Sequence, residues 1–379
     1  MSVTAQPGTV IAPTPSLVIA VEATRLAREV RGIGRYVRAL LPRMLALRPQ
    51  AHFILFVKPR DVTSMTRACH ADPRLGGAVE VRPIRALRRC AADVYWFPWN
   101  VADPAPKHGA VVVTVHDVAP LALPDPRWRK WRKNRRWRRR FRHVADRATL
   151  LVVDSRFTAS EVRRLLGVPD QRMRIALLAA DDLALQPQVD DGKLLEELGV
   201  TGPFILSVGA GDRRKNLAMI ERAVADLVPS QPNITLVHAG PRRPPSHPQP
   251  EASWCRTLGF VSDEQLIALY RSAACLVMAS DYEGFGLPVL EAMQLGTPVI
   301  AVRSSSLPEV GGSAVVWVPP DDHVQLAAAI RRVLHDELLV ARMRAEGHAR
   351  AAEFSWDETA RVTLAAFDDA RRLAEQLSE

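Results

Sequence analysis

The chain has 379 residues, 47% of them hydrophobic, which is more than one core of usual size contains and predicts two domains. The sequence has no run of about eighteen apolar residues, so it offers no candidate for a membrane-spanning helix. The net charge is +10, but eleven Lys and Arg residues and no acid lie between Arg127 and His143. The rest of the chain is therefore nearly neutral, and the charge belongs to one segment.

The first sixteen residues are polar, uncharged and contain proline, which is typical of a flexible tail and unlike a signal peptide. The four cysteines are scattered without the spacing of a metal or disulfide motif: Cys69, Cys90, Cys255 and Cys275. This usage fits a reducing compartment, so we expect a cytoplasmic protein.

The N-terminal half begins with an apolar strand at residues 17–21 and continues, after Gly32 and Gly34, into a helix that ends near Leu47. Two glycines before a helix suit the close approach of a substrate, although many strand-to-helix turns contain them. Further strands are predicted at residues 52–57 and 94–97, with a mixed, Arg-rich stretch between them.

A β-branched strand at residues 111–115 then places His116 and Asp117 at its carboxyl end. A histidine in this position is either a site residue or an ordinary core or turn residue. Another strand at residues 149–153 precedes a helix that ends near Leu166, with Ser155 or Thr158 as its N-cap.

Between these strands lies the basic stretch RWRKWRKNRRWRRRFRH. At 100° per residue, Trp128 and Trp131 fall on one side of a helix and Trp137 and Phe141 roughly opposite, so the stripe is not cleanly amphipathic. Three interpretations remain: a solvated basic helix, a nucleic-acid site, or a surface for anionic lipid.

The second half restarts the alternation of strands and helices after a polar, Pro-containing boundary at residues 186–192. A strand at residues 204–209 is followed by Arg213, Arg214 and Lys215 before the next helix. Basic side chains at such a junction can neutralise a diphosphate, although a bare RRK also fits a solvated loop.

A buried strand at residues 274–279 leads into a loop with Glu283, Gly284 and Gly286, and Glu291 lies one turn inside the helix that follows. The two carboxylates can face one cleft, beside a helix N-terminus that favours phosphate. This arrangement is typical of a nucleotide-sugar site, although a lone glutamate near a helix start also fits an ordinary strand-to-helix turn.

The string EGFGLPVLEA resembles the E-x7-E motif of the GT4 family of retaining glycosyltransferases (glycosyl transferases group 1). Three further strings resemble segments of the family: its acceptor loop resembles GIGRY, its strand-end His-Asp segment resembles TVHDVAPLALP, and its diphosphate segment resembles SVGAGDRRKNL. LGFVSD resembles the loop beside the nucleotide base, and SLPEVGG a segment with an acid near the donor pocket. The resemblance runs from about residue 18 to about residue 373.

The resemblance implies an α/β chain with the GT-B fold, in which two Rossmann-like, doubly wound domains face a central cleft. We expect a flexible tail at residues 1–16 and an acceptor-side domain at residues 17–188 plus 355–379. The nucleotide-sugar domain is expected at residues 189–354.

The same resemblance implies site residues. Catalytic roles fall to Glu283 and His116, and the acceptor-side loop contains Gly32 and Gly34. Donor contacts fall to Arg213, Arg214, Lys215, Glu291, Gly284, Phe285, Gly286, Leu287, Val261 and Glu309. No metal and no cofactor are expected besides the GDP- or UDP-linked donor.

The implied function is the retaining transfer of a hexose, with mannose from GDP-mannose as the first candidate, to a lipid-linked or polysaccharide-precursor acceptor. A lipid-linked acceptor favours an anionic membrane surface, and not nucleic acid, as the partner of the basic stretch. It also implies that the protein lies on the inner face of the cytoplasmic membrane. The patch residues are then Trp128, Trp131, Arg135, Trp137, Arg139 and Phe141. The alternatives are a non-catalytic nucleotide-binding or membrane-docking protein on the same scaffold, or a soluble sugar-phosphate glycosyltransferase.

Overall fold

Two all-parallel sheets organise the chain in this computed structural model, which describes residues 17–29, 32–75, 77–104, 106, 108–124, 131–185, 190–241 and 252–376. The first has seven strands in the order β3-β2-β1-β4-β5-β6-β7, and the second has six in the order β10-β9-β8-β11-β12-β13. Both contain the 3-2-1-4-5-6 order of a doubly wound fold, in which ligands bind where the strand order reverses.

The first sheet is built from the strands β1 (Val18–Glu22), β2 (His52–Val57), β3 (Val79–Pro83), β4 (Val94–Phe97), β5 (Ala110–Val115), β6 (Leu150–Val153) and β7 (Met173–Ile175). Its helices are α1 (Ile33–Leu47), α2 (Val62–Ala71), α3 (Ala119–Ala122), α4 (Trp131–Arg147) and α5 (Arg156–Leu166). The central strands are almost wholly buried, as expected when helices cover both faces of a parallel sheet.

The second sheet is built from β8 (Phe204–Val208), β9 (Thr235–Ala239), β10 (Cys255–Gly259), β11 (Cys275–Met278), β12 (Val299–Val302) and β13 (Val315–Val318). Its helices are α6 (Asp191–Glu197), α7 (Leu217–Leu227), α8 (Asp263–Ser272), α9 (Leu287–Gln294), α10 (Leu307–Gly311), α11 (His323–His335) and α12 (Glu337–Ala351). A last helix, α13 (Trp356–Gln376), follows.

Helix α13 returns to the first sheet and packs against α1 and β4 to β7. Trp356 and Phe367 are fully buried there, and the Phe367 ring lies 5.6 Å from the Trp96 ring. At the C-terminal end of α1, Arg48 donates two hydrogen bonds of 2.8 and 2.7 Å to the Asp368 carboxylate. The chain's last helix therefore belongs to the packing of the first domain.

The strands expected at residues 52–57 and 94–97 are confirmed to the residue, and Ser155 is the N-cap of α5. Strand β3 lies within the Arg-rich stretch for which the sequence pattern predicts no strand. Its sequence, VEVRP, alternates because it is an edge strand with one face partly solvated. The tail at residues 1–16 and most of the expected domain boundary lie outside the described residues.

We predict that Phe367→Ala lowers the free energy of unfolding by about 3–5 kcal/mol, because it leaves a cavity where α13 meets the first sheet. Phe260→Ala is the matched control, since Phe260 is 81% exposed and its loss costs less than about 0.5 kcal/mol. Chemical denaturation followed by tryptophan fluorescence measures both. Equal effects of the two substitutions would contradict the packing role of α13.

Candidate active site

The predicted diphosphate segment and the EGFG loop meet where the second sheet reverses its strand order. The carboxyl ends of β8 and β11 are adjacent in the sheet, so the turns that follow them lie side by side. Lys215 Nζ lies 2.6 Å from Glu283 Oε1, and Arg214 Nη1 lies 3.4 Å from Glu283 Oε2. Glu283 is buried, so its charge depends on these two cations. Arg213 is exposed.

The EGFG loop is fixed by hydroxyl groups on both sides of the cleft. Ser306 Oγ lies 2.9 Å from the carbonyls of Glu283 and Phe285. From the first domain, Ser155 Oγ and Thr158 Oγ1 donate to the Gly284 carbonyl at 2.6 and 3.0 Å. The loop is thus one of the places where the two domains touch.

Gly284 is required at this contact by sterics. A Cβ atom at position 284 would overlap the carbonyl oxygen of His116, which is backbone and cannot swing aside. The strand-end histidine therefore approaches the EGFG loop through its main chain. Any larger residue at this position would push the domains apart.

The His116 ring is held inside the first domain. Its Nδ1 lies 2.6 Å from Asp154 Oδ2 and its Nε2 lies 2.9 Å from the Pro98 carbonyl. Burial opposes protonation, but the Asp154 carboxylate and the Pro98 carbonyl outweigh it and raise the pKa of His116 above its ordinary value. Because both neighbours accept hydrogen bonds, the ring matches an imidazolium that donates from both nitrogens.

Glu291 lies in α9 with both carboxylate oxygens hydrogen-bonded. Tyr270 Oη donates to Oε2 at 2.8 Å, and Arg35 Nη1 from the first domain donates to Oε1 at 2.6 Å. A carboxylate has about four lone pairs, so roughly two remain for further donors. The second glutamate of the motif therefore faces the cleft, close to α1.

The remaining predicted donor residues have varied surroundings. Glu309 accepts hydrogen bonds from the backbone amides of Arg156 and Phe157 at 2.9 and 3.2 Å, so it caps α5 across the domain boundary. Val261 is buried, and the Phe285 ring packs against Phe354. These two can meet a ligand chiefly through their backbones.

Two further predicted donor residues, Gly286 and Leu287, lie at the start of α9. Gly286 occupies the N-cap with φ +101°, a conformation that favours glycine, and no side chain caps this end. Leu287 is the first helical residue and is partly exposed. This helix N-terminus is open to an anion.

The two glycines of GIGRY differ in their surroundings. Gly32 is exposed, has φ +59°, and a Cβ there would meet open space. A Cβ on Gly34 would overlap the Glu29 carbonyl, so Gly34 is needed for packing within its own loop. Only Gly32 leaves room for a substrate.

The predicted lipid patch is wrong in part. Phe141 is fully buried in the first domain's core, and Trp137 packs against that core, because this side of α4 faces the sheet. Trp131, Arg135 and Arg139 are exposed, as predicted for a surface patch. Trp128 lies outside the described residues.

Sequence reasoning missed Arg35, Asp182, Tyr270 and Asp154. Arg35 lies in the first turn of α1, directly after Gly34, and Asp154 directly follows β6, so the neighbouring glycines for the first and the strand-end position for the second were available signals. Their partners are 256 and 38 residues away in sequence. No local pattern reveals such pairs.

Neither a metal cluster nor a membrane span is found in the part of the chain that the structure describes. No three His, Cys, Asp or Glu side chains there are grouped as metal ligands. No helix among these residues combines the length and the apolar character that crossing a membrane requires.

Comparison with known proteins agrees with this geometry. Residues 196–350 match the model of the family described as glycosyl transferases group 1. The chain is 30% identical over 276 residues to O-antigen chain mannosyltransferase B of Escherichia coli, covering 68% of this chain and 69% of that one. It is 28% identical to the serotype-specific mannosyltransferase WbdA of Escherichia coli but spans only a third of its length.

Solved structures have the same fold. Sucrose-phosphate synthase from Thermosynechococcus elongatus has a TM-score of 0.69 at 20% identity, covering 93% of this chain and 98% of its own. Anabaena Alr3699/HepE in complex with UDP and glucose has a TM-score of 0.65 at 18% identity, covering 96% and 100%. With two Rossmann-like domains in the GT-B arrangement, the chain belongs to the glycosyl transferases group 1 family.

Proposed function

We propose that the chain is a retaining, metal-independent glycosyltransferase that moves mannose from GDP-mannose to a lipid-linked or polysaccharide-precursor acceptor. The observation that carries the proposal is the pairing of Lys215 and Arg214 with the buried Glu283 at the point where the strand order reverses, beside the uncapped N-terminus of α9.

The two cations suit a diphosphate. Lys215 and Arg214 pair with Glu283, and an incoming diphosphate would share these cations and draw further on the amides at the start of α9. The same cations would stabilise the charge that develops on the leaving nucleotide. Because basic side chains fill this role, we propose that no metal is required. Arg214 is the better candidate than Arg213, which does not contact Glu283 among the contacts described.

Glu283 and Glu291 would then divide the donor between them. Glu291 is open to the ribose hydroxyls, and Glu283, once its cations are shared with phosphate, is available to the hydroxyls of the sugar. The acceptor hydroxyl would attack from the face that the nucleotide leaves, which retains the anomeric configuration. The contact between Gly284 and His116 would close the cleft against water.

The choice of substrates rests on the relatives. Both Escherichia coli relatives are described as mannosyltransferases, one of them of the O-antigen chain. A structural neighbour was solved with UDP and glucose. These descriptions support a nucleotide-sugar donor and favour mannose and a polysaccharide-type acceptor, and GDP-mannose is the donor to try first.

The exposed face of α4 is the proposed site for anionic lipid, which would hold the enzyme at a membrane surface near a lipid-linked acceptor. Trp131 is 51% exposed, and Arg135 and Arg139 are exposed beside it. Each basic residue near an anionic surface contributes about 1 kcal/mol, and an exposed tryptophan suits the interface. A purely solvated helix is the alternative outcome.

We predict that Glu283→Ala reduces mannose transfer about 100-fold or more while GDP still binds, because the carboxylate faces the sugar and not the diphosphate. Transfer is measured with labelled GDP-mannose and a lipid extract, and binding by the rise in melting temperature with GDP. Glu196→Ala, an exposed change on α6, is the control. If none of GDP, UDP, ADP and dTDP stabilises the folded wild type, the proposed binding of a nucleotide-sugar donor is wrong. If a chelator abolishes transfer and Mg²⁺ restores it, the proposed metal independence is wrong.

We predict that the stability gained from the His116–Asp154 pair depends on pH. Since the folded protein raises the pKa of His116, the contribution of the histidine is complete below the ordinary value of 6.5 and is lost as pH rises through the raised pKa. Burial also raises the pKa of Asp154, so its carboxylate is present only above that second pKa. Asp154→Asn should therefore cost about 3 kcal/mol at pH 5.5 and clearly less at pH 9.5. Denaturation midpoints across this range test it, and a cost that does not change with pH would contradict an imidazolium.

We predict that the triple variant Trp131→Ala, Arg135→Ser and Arg139→Ser binds vesicles of phosphatidylglycerol and phosphatidylcholine about tenfold more weakly than the wild type. The matched control is Arg331→Ser with Arg332→Ser, which removes two exposed charges from α11. Co-sedimentation at two salt concentrations measures binding. Wild-type protein that ignores phosphatidylglycerol would contradict the lipid surface and favour a solvated helix.

A further inference from the structure

Arg35 crosses the cleft between the domains. It lies in the third position of α1 in the first domain, and its Nη1 reaches Glu291 Oε1 of the second domain at 2.6 Å. Its other side faces the first domain, where Nε and Nη2 lie 3.1 and 2.5 Å from the two oxygens of Asp182. One planar guanidinium therefore holds two carboxylates in different parts of the molecule.

The anchor on the first domain is itself fixed. Asp182 also accepts a hydrogen bond of 3.2 Å from the indole nitrogen of Trp356, which is fully buried at the start of α13. Because Arg35 is tied to Asp182 through two nitrogens, its third nitrogen can reach Glu291 only when the two domains approach each other. A separation of the two domains would therefore break this contact.

The contacts of Glu291 show that Arg35 orients its carboxylate without using up the lone pairs that a ligand would need. Tyr270 binds one oxygen and Arg35 the other, which fixes the plane of the carboxylate and leaves about one lone pair on each oxygen. Adjacent hydroxyls of a ribose need such a fixed pair of acceptors. The Arg35 side chain is 20% exposed and the Glu291 side chain 10%, so the pair lies at the wall of the cleft and is screened little by water.

We propose that Arg35 is a positioning residue that fixes the Glu291 carboxylate for the ribose of the donor nucleotide and couples nucleotide binding to domain closure. This rests on the proposed function, in which Glu291 accepts the ribose hydroxyls. Arg35 itself touches neither the sugar nor the diphosphate in this proposal. Its substitution should therefore weaken the recognition of ribose selectively.

The test compares GDP with 2′,3′-dideoxy-GDP by calorimetry. We expect the wild type to bind GDP about tenfold more tightly, since hydrogen bonds to a charged acceptor are lost with the dideoxy ligand. Arg35→Met should bring this ratio close to one, mainly by weakening GDP. Arg43→Met is the matched control, because Arg43 lies on the same helix and pairs with Asp357 at 2.9 Å, within the first domain. It should keep the wild-type ratio.

The outcomes separate the two ideas. A wild type that binds neither ligand, or both equally, would overturn the proposed function of Glu291 and this inference with it. A wild type that prefers GDP while Arg35→Met keeps the same ratio, or weakens both ligands equally, overturns the inference alone. If Arg35→Met does not fold, Arg35→Lys replaces it, since one amine keeps the charge but cannot bridge both carboxylates.

Discussion

The buried charge of Glu283 is the constraint on which the cleft depends. A carboxylate removed from water is stable only with cations or donors close by, and here they are Lys215 and Arg214. The acid follows β11 and the bases follow β8, two strands far apart in sequence but neighbours at the centre of the sheet. The doubly wound strand order, and not local sequence, brings them together.

Closure of the cleft follows from the same loop. The residue after Glu283, Gly284, contacts the first domain through its backbone. The hydroxyls of Ser155 and Thr158 donate to its carbonyl, and the His116 carbonyl lies against its Cα. The ring of His116 is hydrogen-bonded to Asp154, which fixes the backbone at the end of β5. The Lys215–Glu283 pair thus fixes the EGFG loop in the second domain, and the His116–Asp154 pair fixes the end of β5 in the first. The two segments meet at Gly284, where only glycine fits.

Much of this architecture could be predicted from the sequence, because continuous apolar runs ending in glycine or charged residues mark parallel strands and their carboxyl ends. The motif residues were found through resemblance, but their partners were not. Arg35 meets Glu291 across 256 positions, and the direction of Phe141 depends on how α4 packs, which helical periodicity within an Arg-rich stretch does not reveal. The alternation of β3 was missed because this edge strand is partly polar and lies within an Arg-rich stretch.

The charged side chains of the cleft pair with one another, so a nucleotide sugar that enters the cleft would have to exchange some of these pairs. Glu283 shares its cations, Glu291 faces Arg35, and Glu309 caps α5 from the opposite domain. An incoming diphosphate would compete with Glu283 for Lys215, at an energetic cost, but the freed carboxylate would then stand beside the sugar. On the proposed function, the diphosphate binds Lys215 and Arg214 in the same step that frees the Glu283 carboxylate for the sugar. The contacts that Arg35 and Glu309 make between the domains would then hold the cleft closed around the donor.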